Sequence, residues 1–198
     1  MKVILIRHTR VGVPKGTCYG WADVPVAETF PQEAAETKSQ LGKLMKEEGI
    51  PSSFDAVFTS PLTRARKLAA FCGYSTDGFP ARPGRKLGKA TIDNRLKEMN
   101  MGAWEMKRFE DIAKTDPFIL KWYDDYMHLS CTGGEGFPDL YARVSSFLDE
   151  LKKKPYRHAA LFAHGGVLIC AGIYGGLFSA EHAFEHETNY GGIEEINI

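Results

Sequence analysis

The chain has 198 residues, 43% of them apolar and 25% charged, which excludes a wholly disordered or fibrous protein and predicts one domain spanning 1–198. Lys and Arg total 25 and Asp and Glu total 25, a net charge of zero, so nothing marks a dedicated nucleic-acid or polybasic membrane binder. The cysteines Cys18, Cys72, Cys131 and Cys170 are widely spaced, with no C-x-x-C, and read as reduced thiols of a cytoplasmic protein.

The N-terminal MKVILIRH has too short an apolar run for a signal-peptide core. Residues 3–6 predict instead a strand buried on both faces. Thr29 and Gln32 have capping-box spacing, Pro31 suits a first helical turn, and Gly49 suits its end, so a helix is expected between them. A second strand is expected over 54–59. Ser60 as N-cap and Pro61 at the first helical position open a helix through Cys72, with Leu62, Ala65, Ala69 and Cys72 on its apolar face. Residues 106–127 read as helix broken near Pro117. Phe137, Leu140, Val144, Phe147 and Leu151 form a clear helical stripe. A strand follows over 159–163, then a helix after Gly165 and Gly166, then a partly alternating strand over 193–198 that belongs near a sheet edge.

Residues 159–180 carry no Asp, Glu, Lys or Arg and are long enough to span a bilayer. The glycine pairs 165–166 and 175–176 and His164 break the run, and a buried strand, turn and helix account for it better. No repeat or low-complexity tract is present. Strands alternating with helices predict an α/β chain: a three-layer α/β/α sandwich on a mostly parallel sheet. Ligands of such sheets bind beyond the carboxyl ends of the strands.

Those ends are rich in cations. The first predicted strand delivers Arg7 and His8. The second delivers Thr59 and Ser60, with Arg64 one turn into the next helix. The third delivers His164, Gly165 and Gly166. Two arginines, two histidines and adjoining helix N-termini make a pocket for a compact multivalent anion, and phosphate is the natural candidate. Taken singly, each residue is more often a surface turn, a solvated helix position or a satisfied core histidine; their coincidence at strand ends carries the argument.

The same residues carry a resemblance. LIRHT at 5–9, the segment 18–25 (CYGWADVP), Ser60-Pro61-Leu62-Thr63-Arg64-Ala65, Leu96-Lys97-Glu98 followed by Gly102-Ala103-Trp104-Glu105, and Ala163-His164-Gly165-Gly166 occur in this order. Together they resemble the signatures of the histidine phosphatase superfamily, the phosphoglycerate-mutase-like phosphatases, and look most like its α-ribazole phosphatase branch. The chain departs from the R-H-G-E pattern, reading Arg7-His8-Thr9-Arg10, and Val13-Pro14-Lys15 stands where an asparagine is usual. Thr17 or a main-chain N–H is the expected replacement for that asparagine, and Arg10 is a third candidate cation.

The resemblance implies that His8 attacks phosphorus, forms a phosphohistidine, and is regenerated by water. His8 must be neutral to attack, and Arg7 and Arg64 should lower its pKa. Arg7, Arg64 and His164 would hold the phosphoryl oxygens, with Gly165, Thr17, Gly20 and Arg10 as further phosphate or substrate contacts. Glu98 is the expected general acid and then base. Glu105 is either a supporting carboxylate or a cap on Trp104, and Asp23 a turn residue. No cofactor and no metal are implied, since side chains supply the positive field. His182 and His186 have the spacing of a helical metal pair but lack a third ligand.

Specificity is expected from an insertion at about 106–136, with Trp104 at its start, Trp122, Tyr123 and Tyr126 within it, and the loop 131–136 at its end. These aromatics either stack on a ring of the substrate or fill the core. The expected partner is a small phosphorylated metabolite, α-ribazole 5′-phosphate foremost, with no nucleic acid and no membrane; oligomeric state is open. A bisphosphoglycerate-dependent mutase and a silent phosphate-binding protein are the competing readings. The short Glu98-to-His164 interval favours a phosphatase over a mutase.

Overall fold

The computed structural model describes residues 1–50, 52–81 and 87–198, and the main chain alone of His182 and Phe184. Five strands form the central sheet: β1 (Lys2–Arg7), β2 (Ala56–Thr59), β5 (Thr91–Ile92), β6 (His158–Ala163) and β7 (Ile193–Asn197), in the order β5-β2-β6-β1-β7. All neighbours are parallel except β7, which runs antiparallel to β1 at the edge. A separate parallel pair, β3 (Tyr74–Ser75) and β4 (Gly88–Lys89), lies outside it.

Side chains alternate across the sheet because the strand period is two. Val3 and Leu5 of β1 join Leu161 of β6 on one face, under α5 (Phe137–Leu151) and α6 (Gly165–Tyr174). Ile4, Ile6 and Phe162 point to the other face, under α1 (Phe30–Glu47) and α2 (Thr63–Cys72). This is the three-layer α/β/α arrangement the sequence predicts. A third cluster, built on Trp104, Ile112 and Ile119, sits beneath α3 (Phe109–Thr115) and α4 (Phe118–Asp124). The break between these two helices falls at Pro117, as the sequence predicts.

Several local expectations change. The helix after β2 begins at Thr63, with Leu62 as N-cap, and not at Ser60-Pro61. Ser60 Oγ still accepts from Leu62 N at 3.2 Å, but it is turned to His164. Thr29 precedes α1 without capping it, because its hydroxyl donates to the Glu33 side chain. β2 starts at Ala56 rather than 54, since Asp55 turns to accept from Arg157 N and His158 N. The charge-free stretch 159–180 divides into β6 and the ten-residue α6, and among the described residues no helix is long and apolar enough to cross a membrane. All four cysteines are buried and free of disulfides; burial pushes Cys18, Cys72 and Cys131 up to about 12.

Candidate active site

β1, β2 and β6 lie side by side in the sheet, so their carboxyl ends place His8, Ser60 and His164 together. His8 is fixed at both main-chain groups: its N–H donates to Ala163 O and its carbonyl accepts from Gly191 N, each at 3.0 Å. Its Nδ1 lies 2.6 Å from Thr9 O. A carbonyl can only accept, so Nδ1 carries the proton and the neutral ring keeps its lone pair on Nε2. His8 is 2% exposed. Burial first, then the charge of Arg64 and that of Arg7, hold its pKa well below the ordinary histidine value, against the opposing pull of the Thr9 carbonyl. Arginine proximity was the expected cause, but burial is the larger one.

His164 packs edge-on against His8, ring centroids 5.1 Å apart. Its Nε2 is 2.7 Å from Ser60 Oγ. Ser60 Oγ also accepts from Leu62 N; when it donates to His164 Nε2 the ring proton sits on Nδ1, which is buried without a protein partner. Burial, with Arg64 next, keeps His164 neutral as well.

Arg64 is fully buried. Its Nη1 donates to Ala22 O at 2.9 Å and its Nη2 to Gly20 O at 2.7 Å. Those carbonyls are aimed by Glu105. Gly20 N and Ala22 N donate to its Oε2 at 3.0 Å, and Trp21 N (2.7 Å) and Met101 N (3.0 Å) to its Oε1. Glu105 therefore does not cap Trp104, whose indole N–H goes to Asp116 at 2.7 Å. Asp23 accepts from both Thr63 N and Thr63 Oγ1, tying the same loop to the start of α2.

Arg7 donates through Nη1 to Thr188 O and pairs through Nη2 with Glu187 at 2.7 Å. The Tyr190 ring lies 4.2 Å from its guanidinium carbon, and Tyr190 Oη bonds Tyr19 Oη at 2.8 Å. Nε of Arg7, Nε of Arg64, Nδ1 of His164 and Oγ1 of Thr9 are buried and without protein partners. Buried donors without partners cost free energy, and on residues grouped around His8 they suit the oxygens of a tetrahedral anion.

His8 opens on a cavity of about 290 Å³. Arg7, Glu98, Gly166, Glu187 and Tyr190 are among its polar lining, and Met99, Met101, Phe109, Trp122 and Ile169 among its apolar lining. The Glu98 carboxylate accepts from Met99 N at 2.9 Å and, through Oε2, from Gly166 N at the start of α6 at 3.2 Å. A Cβ on Gly166 would stand 2.5 Å from Glu98 Oε1, so only glycine allows this approach.

The structure brings together Arg7, His8, Arg64, Glu98 and His164, and sets Thr17 in the cavity wall with its hydroxyl donating to Pro14 O. It moves the other candidates out. Arg10 turns away to Glu33 and lines a different, polar cavity of about 720 Å³. That cavity carries Glu33, Glu36, Glu185 and Glu194 besides Glu187, which borders both cavities, and so acidic a lining is unsuited to a phosphate dianion. The main-chain groups of Gly20 are taken by Glu105 and Arg64, so it acts through Arg64. Gly165 faces the Arg7 guanidinium and Glu187, and it is Gly166 that lines the cavity. Of the aromatics at 122–126, Trp122 alone lines the cavity, while packing edge-on against Trp104. Among the described residues no three His, Cys, Asp or Glu side chains form a metal-binding group; the side chain of His182 lies outside them. Sequence reasoning missed Glu187, Thr188 and Tyr190, which the turn before β7 brings to Arg7; no motif marks them.

Neutral imidazoles, two guanidiniums and a carboxylate thus meet at the carboxyl edge of a parallel sheet. The model of the histidine phosphatase superfamily (branch 1) matches residues 3–196. The chain belongs to that superfamily and is by family a phosphatase. It is 30% identical over 172 residues to the adenosylcobalamin/α-ribazole phosphatase of Escherichia coli, covering 85% of this chain and 75% of that protein. It is 31% identical over 154 residues to the 2,3-bisphosphoglycerate-dependent phosphoglycerate mutase of Xanthobacter autotrophicus, covering 72% and 63%. The crystal structure of the α-ribazole phosphatase from Shigella flexneri superposes with a TM-score of 0.81 at 27% identity, covering all of this chain and 91% of that one.

Proposed function

We propose that the protein is a metal-independent phosphomonoesterase that works through a phosphohistidine on His8, with α-ribazole 5′-phosphate as its substrate. The observation that carries the reading is the state of His8: neutral, proton fixed on Nδ1, lone pair on Nε2, on the lining of a cavity that Arg7 shares and with the Arg64 charge close by. His8 Nε2 attacks phosphorus as the ester P–O bond breaks. Glu98, acting as general acid, gives a proton to the leaving oxygen. The Thr9 carbonyl steadies the positive charge on the phosphorylated ring. Water then attacks phosphorus, Glu98 takes its proton, the N–P bond breaks, and inorganic phosphate leaves with His8 neutral again. Nε of Arg7 and Arg64 and Nδ1 of His164 donate to the phosphoryl oxygens, where charge gathers.

The apolar wall supports a substrate whose alcohol part is an uncharged ring system. A phosphoglycerate would bring a carboxylate to Met99, Met101, Phe109 and Ile169, with no cation beyond Arg7 on the lining. The region 106–136 thus serves specificity chiefly through Phe109 and Trp122. The test is phosphate release in EDTA across α-ribazole 5′-phosphate, phosphoserine and 3-phosphoglycerate. The expected result is retained activity and a preference for the first of roughly 100-fold or more. Loss of activity restored by metal overturns the mechanism. Phosphoryl transfer from bisphosphoglycerate to 3-phosphoglycerate, without net hydrolysis, would make the protein a mutase.

A further inference from the structure

Glu98 sits on irregular chain between the short 3-10 turns Asn94–Leu96 and Gly102–Trp104, so no helix or strand fixes it. The ordering comes from Arg143 on α5. Its Nη1 donates to Arg95 O at 2.7 Å and Lys97 O at 2.6 Å, and its Nη2 to Glu98 O at 2.8 Å. Nε and Nη2 also form a two-point pair with Glu135, both at 2.9 Å. Glu135 closes the arrangement: its Oε2 accepts from Asn100 N and its own N–H donates to Asn100 O, both at 2.8 Å. One guanidinium, using both of its terminal nitrogens, thereby draws three carbonyls of residues 95–98 around itself. The side chains of Arg143 and Glu135 are 16% and 18% exposed. A largely buried ion pair is a weak source of stability, because desolvation offsets the attraction; its geometric effect is what distinguishes it here.

We propose that Arg143, oriented by Glu135, is the positioning residue for Glu98, holding the acid's main chain so that its carboxylate stays at Gly166 N and faces the cavity with His8. The proposal rests on the assignment of Glu98 as general acid. Lysine in place of Arg143 keeps the charge and loses the planar fork, so Arg143→Lys separates geometry from electrostatics.

The experiment measures single-turnover phosphorylation with two aromatic substrates of unlike leaving groups, 2-phenylethyl phosphate and p-nitrophenyl phosphate. An alkoxide needs the acid's proton and p-nitrophenolate does not. Glu98→Gln should slow the alkyl ester by roughly 10²–10⁴-fold and the aryl ester far less. Arg143→Lys should reproduce that selectivity, with about 10²-fold lost on the alkyl ester. The double variant should match Glu98→Gln alone, as expected when one residue acts only through the other. Equal losses on both esters in Arg143→Lys, or multiplying losses in the double variant, overturn the proposal while leaving Glu98 as the acid. Equal losses in Glu98→Gln itself remove the acid and the proposal with it. If Arg143→Lys fails to fold, Glu135→Gln, which releases the fork from its partner, is held to the same expectation.

Discussion

Gly20→Ala tests how the loop around residue 20 supports the site. An ideal Cβ on Gly20 falls 1.8 Å from Met99 O and 3.0 Å from Met101 Cγ. Side-chain carbons do not approach main-chain oxygen below about 3 Å, so the two backbones must part by more than 1 Å. Neither can part without consequence. Gly20 O and Ala22 O hold the Arg64 guanidinium, and Met99 is the neighbour of Glu98 and donates to its carboxylate. A displacement of about 1 Å at a catalytic group costs on the order of 10² in rate, and overpacking costs about 1–3 kcal/mol of stability. Gly42→Ala is the control. It lies within α1, and its added methyl meets nothing within 4 Å. It should gain about 1 kcal/mol from helix propensity and leave catalysis alone. The assay is kcat/KM with p-nitrophenyl phosphate beside Tm for both variants. Wild-type kcat/KM in Gly20→Ala, with Tm lowered or not, would refute the idea that this contact supports Arg64 and Glu98.

Glu187 competes with phosphate for Arg7, so Glu187→Gln should tighten inhibition by inorganic phosphate by up to about five-fold, the scale of a half-exposed ion pair; unchanged or weaker inhibition would show that Glu187 does not contest the anion. His8 and His164 are held neutral in the fold, whereas the unfolded chain takes up their protons below about pH 6.5. Their contribution to stability is therefore fully present above about pH 6.5 and is lost as pH falls from there through the depressed folded values. Urea unfolding of wild type and His8→Gln should show a shallower pH dependence in the variant over that range, and identical slopes would contradict a neutral buried His8.

The layers of this fold are written in the sequence wherever the apolar pattern is long. β1 and β6 each hold a run of buried apolar residues, α5 carries an unbroken stripe, and each was expected within a residue or two. β5 was not, because Thr91–Ile92 is too short to show a period. The site was legible where strands end: Arg7, His8, Arg64 and His164 needed only the rule that parallel sheets bind at their carboxyl edge. Arg10 was misplaced by the same logic, since β1 ends at Arg7 and the chain then turns Arg10 toward Glu33 of α1. Glu187 and Tyr190 were invisible because an antiparallel edge strand, not a motif, carries them to Arg7. The roles of Glu105 and Arg143 depend on which main-chain groups face them, and only the folded chain holds that information.

The central claim is that His8 carries the phosphoryl group. Rapid acid-free quenching of the enzyme during turnover of ³²P-labelled substrate, followed by peptide mapping, tests it most directly. The account predicts a base-stable, acid-labile phosphoryl group on His8, and neither label nor turnover in a folded His8→Ala variant. Label on another residue, or near-wild-type turnover by that variant, would contradict it.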